Sequence, residues 1–195
     1  MDTVINDSFE LSRKINDCLE GIQIPNQDSH LFSTLFHNIV VEYQRSIAVL
    51  TKEALYGSAC CLVRPLFESY VKGLWFYKCA TENDFLMLRK DKFKKIFNDL
   101  VKDIENIENL GLIKAKERYW RNLNSLTHTG TAQLARRIYN NEIRNAYSND
   151  FMVQTLKFSN MYALLSCGEL AEISSSESCQ KQFSTICSEM WAKFK

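Results

Sequence analysis

The sequence predicts an all-α, multi-helix bundle, and three observations predict it. Every strong apolar periodicity in the chain steps by three and four, the spacing of one helix face. Gly and Pro number only 6 and 2, too few for the turns of an all-β chain. Hydrophobic residues fill 46% of the 195 positions, and a domain of this length buries roughly 70% of its unfolded surface. One domain over residues 1–195 is expected, with its core over about 28–172 and a C-terminal helix over about 177–194. At least six helices and no sheet are expected.

The elements follow in order. A first helix over 3–21 carries Phe9, Leu11, Ile15 and Leu19 and ends at Gly21 and Pro25. Asp28 or Ser29 caps a second, with the stripe Leu31, Leu35, Ile39, Tyr43, Ile47 and Leu50. His37 lies off that stripe and reads as a surface or partly packed histidine. Residues 54–80 form the most apolar segment and read as the central helix. Pro65 kinks that helix or marks a start within it. Thr81 caps the next element, with Glu82 and Asp84 in its first turn. Phe93, Ile96, Phe97, Leu100, Ile104 and Ile107 define an amphipathic helix that ends at Asn109-Leu110-Gly111. Another starts near Leu112. Tyr139-Asn140-Asn141 and Ala146-Tyr147-Ser148-Asn149 read as turns. Asp150 caps a helix bearing Phe151, Leu156, Phe158, Tyr162, Leu165 and Leu170. After the linker Ser174-Ser175-Ser176, a last helix bears Cys179, Phe183, Ile186, Met190 and Phe194.

Composition narrows the setting. The 7 cysteines are odd in number and follow no disulfide framework, and no basic-then-apolar leader precedes them. They read as reduced, buried thiols, and a soluble cytoplasmic protein is expected. No C-x₂-C pairing suggests a metal, so neither metal nor cofactor is expected. No apolar run approaches the roughly 18 residues of a membrane span.

Two features carry chemistry. Arg64 and Glu68 sit four apart inside the most apolar segment, so they stack on one helix face and must be paired. They form either a structural intrahelical pair or a pair that orients a polar group from another helix. The second feature is the stretch 119–137. From Arg118 to Arg137 there are four arginines, Arg118, Arg121, Arg136 and Arg137, and no acid, in a chain of net charge +1. Arg121 and His128 are seven apart, on one side of a helix but about 10 Å apart along its axis. Gly130 suits the C′ position of a helix ending near Thr129. Ser125 and Thr127 add hydroxyls, and the whole suggests an anion or phosphate site.

Arg121-Asn122 followed by His128 resembles the Arg-x₄₋₆-His motif of the HEPN superfamily. The segments Leu62-Val63-Arg64-Pro65-Leu66-Phe67-Glu68 and Leu123-Asn124-Ser125-Leu126-Thr127-His128-Thr129-Gly130 resemble the signatures of a bacterial family of unknown function, over about residues 45–140. The HEPN resemblance implies an all-α, metal-independent endoribonuclease of a toxin or phage-defence system. In that reading Arg121, Asn122 and His128 are catalytic, with His128 as general acid or base and Arg121 on the phosphorane. Ser125, Thr127, Arg136 and Arg137 bind substrate, and Arg64 and Glu68 support the site. The implied partners are RNA, a second copy in a homodimer, and a cognate antitoxin or defence protein. One competing reading is structural, with His128 bonded to Glu68 or to a backbone carbonyl at a helix junction and Arg121 a surface arginine. Another is a non-catalytic module in which Arg118, Arg136, Arg137 and Arg144 bind a nucleotide or nucleic-acid backbone, and a third is a protein-interaction module of the assembly or antitoxin type.

Overall fold

Helix α4 (Val63–Lys78) buries ten of its 16 residues. A helix apolar nearly all round has to be wrapped on several sides, and the other elements do this. The computed structural model describes residues 1–194, with ten helical segments among them. Helix α2 (Asp28–Lys52) packs most extensively on α4 and then on α9 (Asn149–Ile173). Helices α6 (Phe97–Ile107) and α7 (Leu112–Thr127) close another side of α4. Phe67 sits at the centre, its ring 5.5 Å from Phe97, 5.9 Å from Phe158 and 5.0 Å from Tyr162. Edge and tilted contacts of this kind add to simple burial. The all-α expectation therefore holds.

A second apolar cluster lies at the termini. Helices α1 (Asp2–Leu19) and α10 (Glu177–Phe194) pack on each other and on α9. Leu11, Ile15, Leu164, Cys167, Ile186 and Met190 meet there. Cys18, Cys60, Cys167 and Cys179 are buried free thiols, while Cys61, Cys79 and Cys187 are partly covered. No described helix is long and apolar enough to cross a membrane.

Several boundaries differ from expectation. The segment 54–80 is two helices, α3 (Tyr56–Cys61) and α4, with the break at Leu62. Pro65 falls in the first turn of α4, where its missing N–H breaks no helical bond. Thr81 and Asp84 form a reciprocal capping box on α5 (Glu82–Arg89). The amphipathic run from Phe93 becomes helical only at Phe97. Gln27 is the residue before α2, and Ser148, not Asp150, caps α9 by accepting the Phe151 N–H at 3.2 Å. The chain is also not free of strand. Ile138–Tyr139 (β1) and Glu142–Ile143 (β2) pair antiparallel around Asn140 and Asn141. Both asparagines have φ near +50 to +64°, as a two-residue hairpin turn demands and asparagine tolerates.

The largest departure is on α2. Leu31 and Leu35 are exposed, whereas Ser33, His37, Gln44 and Thr51 are buried. The reason lies in hydrogen bonding across helices. Gln44 Nε2 donates to Asn160 Oδ1 at 2.8 Å and to the Ser8 carbonyl at 3.0 Å. Asn160 Nδ2 donates to Ser8 Oγ at 2.8 Å, so α1, α2 and α9 share one polar tie. His37 is fully buried, with Nδ1 3.1 Å from Ser166 Oγ. Its ring occupies the space beside Gly73, where an added Cβ would come within 2.6 Å of Nε2. Glycine is required there by close approach rather than by backbone freedom.

Two buried titratable groups give opposed pH dependences. Burial pushes His37 from 6.5 down to about 3. The unfolded chain alone takes up that proton, so stability is lost as pH falls from 6.5. Burial lifts Glu169 from 4.5 to about 7, with Lys78 opposing the rise and Glu172 and Glu108 adding to it. The unfolded chain releases that proton first, so stability is lost as pH rises from 4.5 to about 7. Glu169→Gln is therefore expected to be more stable than wild type by roughly 2–3 kcal/mol at pH 8, with the gap closing toward pH 4.5. Urea unfolding across pH 4.5–8 checks this, and a pH-independent gap would remove Glu169 as the cause.

Candidate functional site

The site is assembled where α4 begins. The break at Leu62 places Arg64 and Glu68 in the first turns of α4, facing α7. Arg64 Nε and Nη2 both reach Glu68 Oε1 at 2.9 Å. Its Nη1 meets His128 Nε2. The guanidinium also lies 4.9 Å from the Trp120 ring, and Trp120 stacks flat on Phe97 at 4.1 Å. Arg64 is thus held by an anion, an aromatic face and an imidazole at once. The Arg64 and Glu68 side chains retain only 20% and 24% of their exposure, so the pair is mostly covered, as charges in an apolar helix require. An arginine has no acceptor atom, so His128 accepts at Nε2 and carries its proton at Nδ1.

His128 is exposed and is the residue that closes α7, with φ −98 and ψ 30. The left-handed residue that ends the helix is Thr129 at φ 50, rather than Gly130. Gly130 serves a different need. Its N–H donates to the Ser125 carbonyl at 2.8 Å, and an added Cβ would stand 2.7 Å from Ser125 Oγ. Ser125 Oγ accepts the Ala132 N–H at 2.9 Å and so helps seat the single turn α8 (Thr131–Leu134). Thr127 Oγ1 donates to the Leu123 carbonyl at 2.9 Å and stands 3.4 Å from the Cys61 carbonyl. Both hydroxyls are engaged inside the chain.

The remaining predicted residues divide. Arg121 and Asn122 are exposed and make no side-chain hydrogen bond or ion pair among the described residues. The partner of His128 is Arg64, not Arg121. Arg136 folds inward over Phe151 at 4.3 Å and donates to the Ala132 carbonyl. Arg137 is exposed and lines a separate pocket beside Gly57. Sequence reasoning missed Trp120 and Asn124. Asn124 Oδ1 is buried without a partner. The signal was present, because 120, 124 and 128 share one helix face.

Fold and site define an all-α protein with an arginine–histidine centre at an exposed helix end. The chain belongs to the DUF6988 family, a family of unknown function whose profile matches residues 37–194. No curated protein and no solved structure matches it. No group of three or more His, Cys, Asp or Glu stands in a metal-holding arrangement among the described residues.

Glu68→Ala is expected to destabilise the protein by about 1–3 kcal/mol, because Arg64 loses its only carboxylate while still mostly covered. Urea midpoints of wild type and variant measure it. A change below about 0.5 kcal/mol would mean that the pair is solvated.

Proposed function

We infer that the Arg64–His128 centre handles a phosphodiester, and that the protein is a metal-independent endoribonuclease of the HEPN type. The observation that carries this is the contact of a guanidinium with the accepting Nε2 of an exposed imidazole. A phosphate entering there meets a cation for its oxygens and a base for the neighbouring hydroxyl. In the reaction His128 Nε2 takes the proton of the ribose 2′-hydroxyl. The 2′-oxygen bonds to the adjacent phosphorus, and the P–O5′ bond breaks as the 5′-oxygen leaves with a proton. The products are a 2′,3′-cyclic phosphate and a 5′-hydroxyl. Arg64 balances charge on the phosphorane, and the unpaired Arg121 neutralises a flanking phosphate.

The chemistry uses no metal, so cleavage of single-stranded RNA or tRNA should persist in EDTA. His128→Ala and Arg64→Ala should each lose about 10²-fold or more in rate. Arg121→Ala should lose less and flatten the salt dependence of binding. Equal cleavage by wild type and His128→Ala would end this reading.

A second reading rests on the same contact. With Glu68 neutralising Arg64 and Arg64 occupying the imidazole, the three form a clasp between α4 and α7 in a non-catalytic binding module. His128→Ala would then lower stability, and no RNA would be cut by either protein.

One centre supplies one imidazole, whereas base and acid act at opposite ends of the scissile bond. A homodimer that pairs two copies across the Arg121–His128 face would bring a second imidazole into the cleft. Light scattering at tens of micromolar should show twice the chain mass, and a strictly monomeric mass would remove this part. A role in a toxin or phage-defence system, with a cognate protein partner, belongs to the same proposal and extends it from chemistry to context.

A further inference from the structure

A pocket of about 280 Å³ lies between the corner at 54–58, where α2 gives way to α3, and the β1–β2 hairpin. Arg137, Arg144, Asn145 and Ser58 line it, with Leu55 and Ile143 as its apolar part. The hairpin holds the two arginines beside each other, because the Arg144 N–H donates to the Arg137 carbonyl at 2.8 Å. Asn145 Nδ2 donates to the Ala54 carbonyl at 3.0 Å and ties the hairpin to the corner. Neither arginine has a carboxylate partner among the described residues, and Arg144 lies 5.6 Å from the Tyr139 ring.

A buried phenol packs beneath the arginine-lined wall. Tyr147 is 8% exposed, and its hydroxyl is buried with no hydrogen-bond partner. An ideal Cβ on Gly57 would lie 2.5 Å from Arg137 Nη2 and 3.3 Å from Tyr147 Oη. Arg137 thus lines the pocket beside Gly57, while the Tyr147 hydroxyl lies next to the same glycine but beneath the lining. Burial raises the Tyr147 hydroxyl above its ordinary range, so it stays protonated.

Two guanidiniums, with no carboxylate in the wall, select an anion that has several acceptor oxygens. Leu55 and Ile143, 52% and 96% exposed, offer apolar surface beside it for a sugar or base. We propose that this pocket binds the phosphate of a nucleotide, free or as one unit of an RNA strand. The site stands apart from the Arg64–His128 centre and needs no cleavage, so the two readings fail separately.

Calorimetric titration of the full chain tests it, with inorganic phosphate, adenosine 5′-monophosphate and a short uncleaved 2′-deoxy or 2′-methoxy oligonucleotide as probes. Saturable binding is expected, weakened about tenfold or more by Arg137→Gln or by Arg144→Gln. Gly57→Ala should abolish it by displacing the Arg137 guanidinium, while favouring the helix at that position. Tyr147→Phe, a change beneath the lining, should leave binding within about twofold of wild type, which separates the arginine-lined pocket from a general effect of repacking the hairpin. Tighter binding of the monophosphate assigns the site to a free nucleotide, and tighter binding of the oligonucleotide assigns it to a strand. The proposal is overturned if no probe saturates at up to about 5 mM. It is equally overturned if Lys94→Gln, an exposed charge elsewhere, weakens binding as much as Arg137→Gln.

Discussion

A helix that is apolar on nearly every side cannot be left at a surface, and α4 is that helix. Its burial dictates where α2, α6, α7 and α9 go, because each covers part of the same cylinder. Arg64 stands at its N-terminal end, only partly covered. The guanidinium cannot be desolvated alone. Glu68 supplies the charge, Trp120 supplies a face and His128 supplies an acceptor. The candidate site is thus a by-product of closing the core.

The inner face of α2 shows how such a bundle selects one packing. A purely apolar face could slide by a turn with little loss. Gln44, Asn160 and Ser8 cannot, because a slide would part the Gln44 amide from both of its acceptors and the Asn160 amide from Ser8 Oγ. His37, pressed against Gly73 and bonded to Ser166, adds a second fixed point. Buried polar groups here specify register between α1, α2, α4 and α9.

Two arginine-bearing sites on the chain, Arg64–His128 and Arg137–Arg144, are joined by a short segment. From His128 the chain passes through Gly130 and the turn α8 to Arg136 and Arg137. Ser125 and Thr127 brace this passage from within rather than facing solvent. Arg136 anchors it on Phe151. What remains accessible is Arg121 and His128 at one end and Arg137 and Arg144 at the other, separated by a braced connection rather than by a loose loop.

The sequence by itself determined that the chain is helical, that α5 begins with a Thr81 cap, that Pro65 marks either a kink or a helix start and that residues 139–141 are not continuous helix. These are local matters, settled by spacing, ring closure and side-chain capping within a few residues. It also required that Arg64 and Glu68 be paired, since they are neighbours on one helix in apolar company. Which imidazole or arginine lay beyond that pair was not local. The spacing of Arg121 and His128 suggested a partnership, yet His128 turns to Arg64, 64 positions away. The buried face of α2 was equally hidden, because Ser33, His37 and Gln44 look polar until donors from other helices are placed opposite them. Tyr147 and Arg137 meet only because the hairpin is tied to the 54–58 corner. The pairings of His128 with Arg64 and of Gln44 with Asn160 join residues distant in sequence, and only the packing of helices brings them within hydrogen-bonding reach.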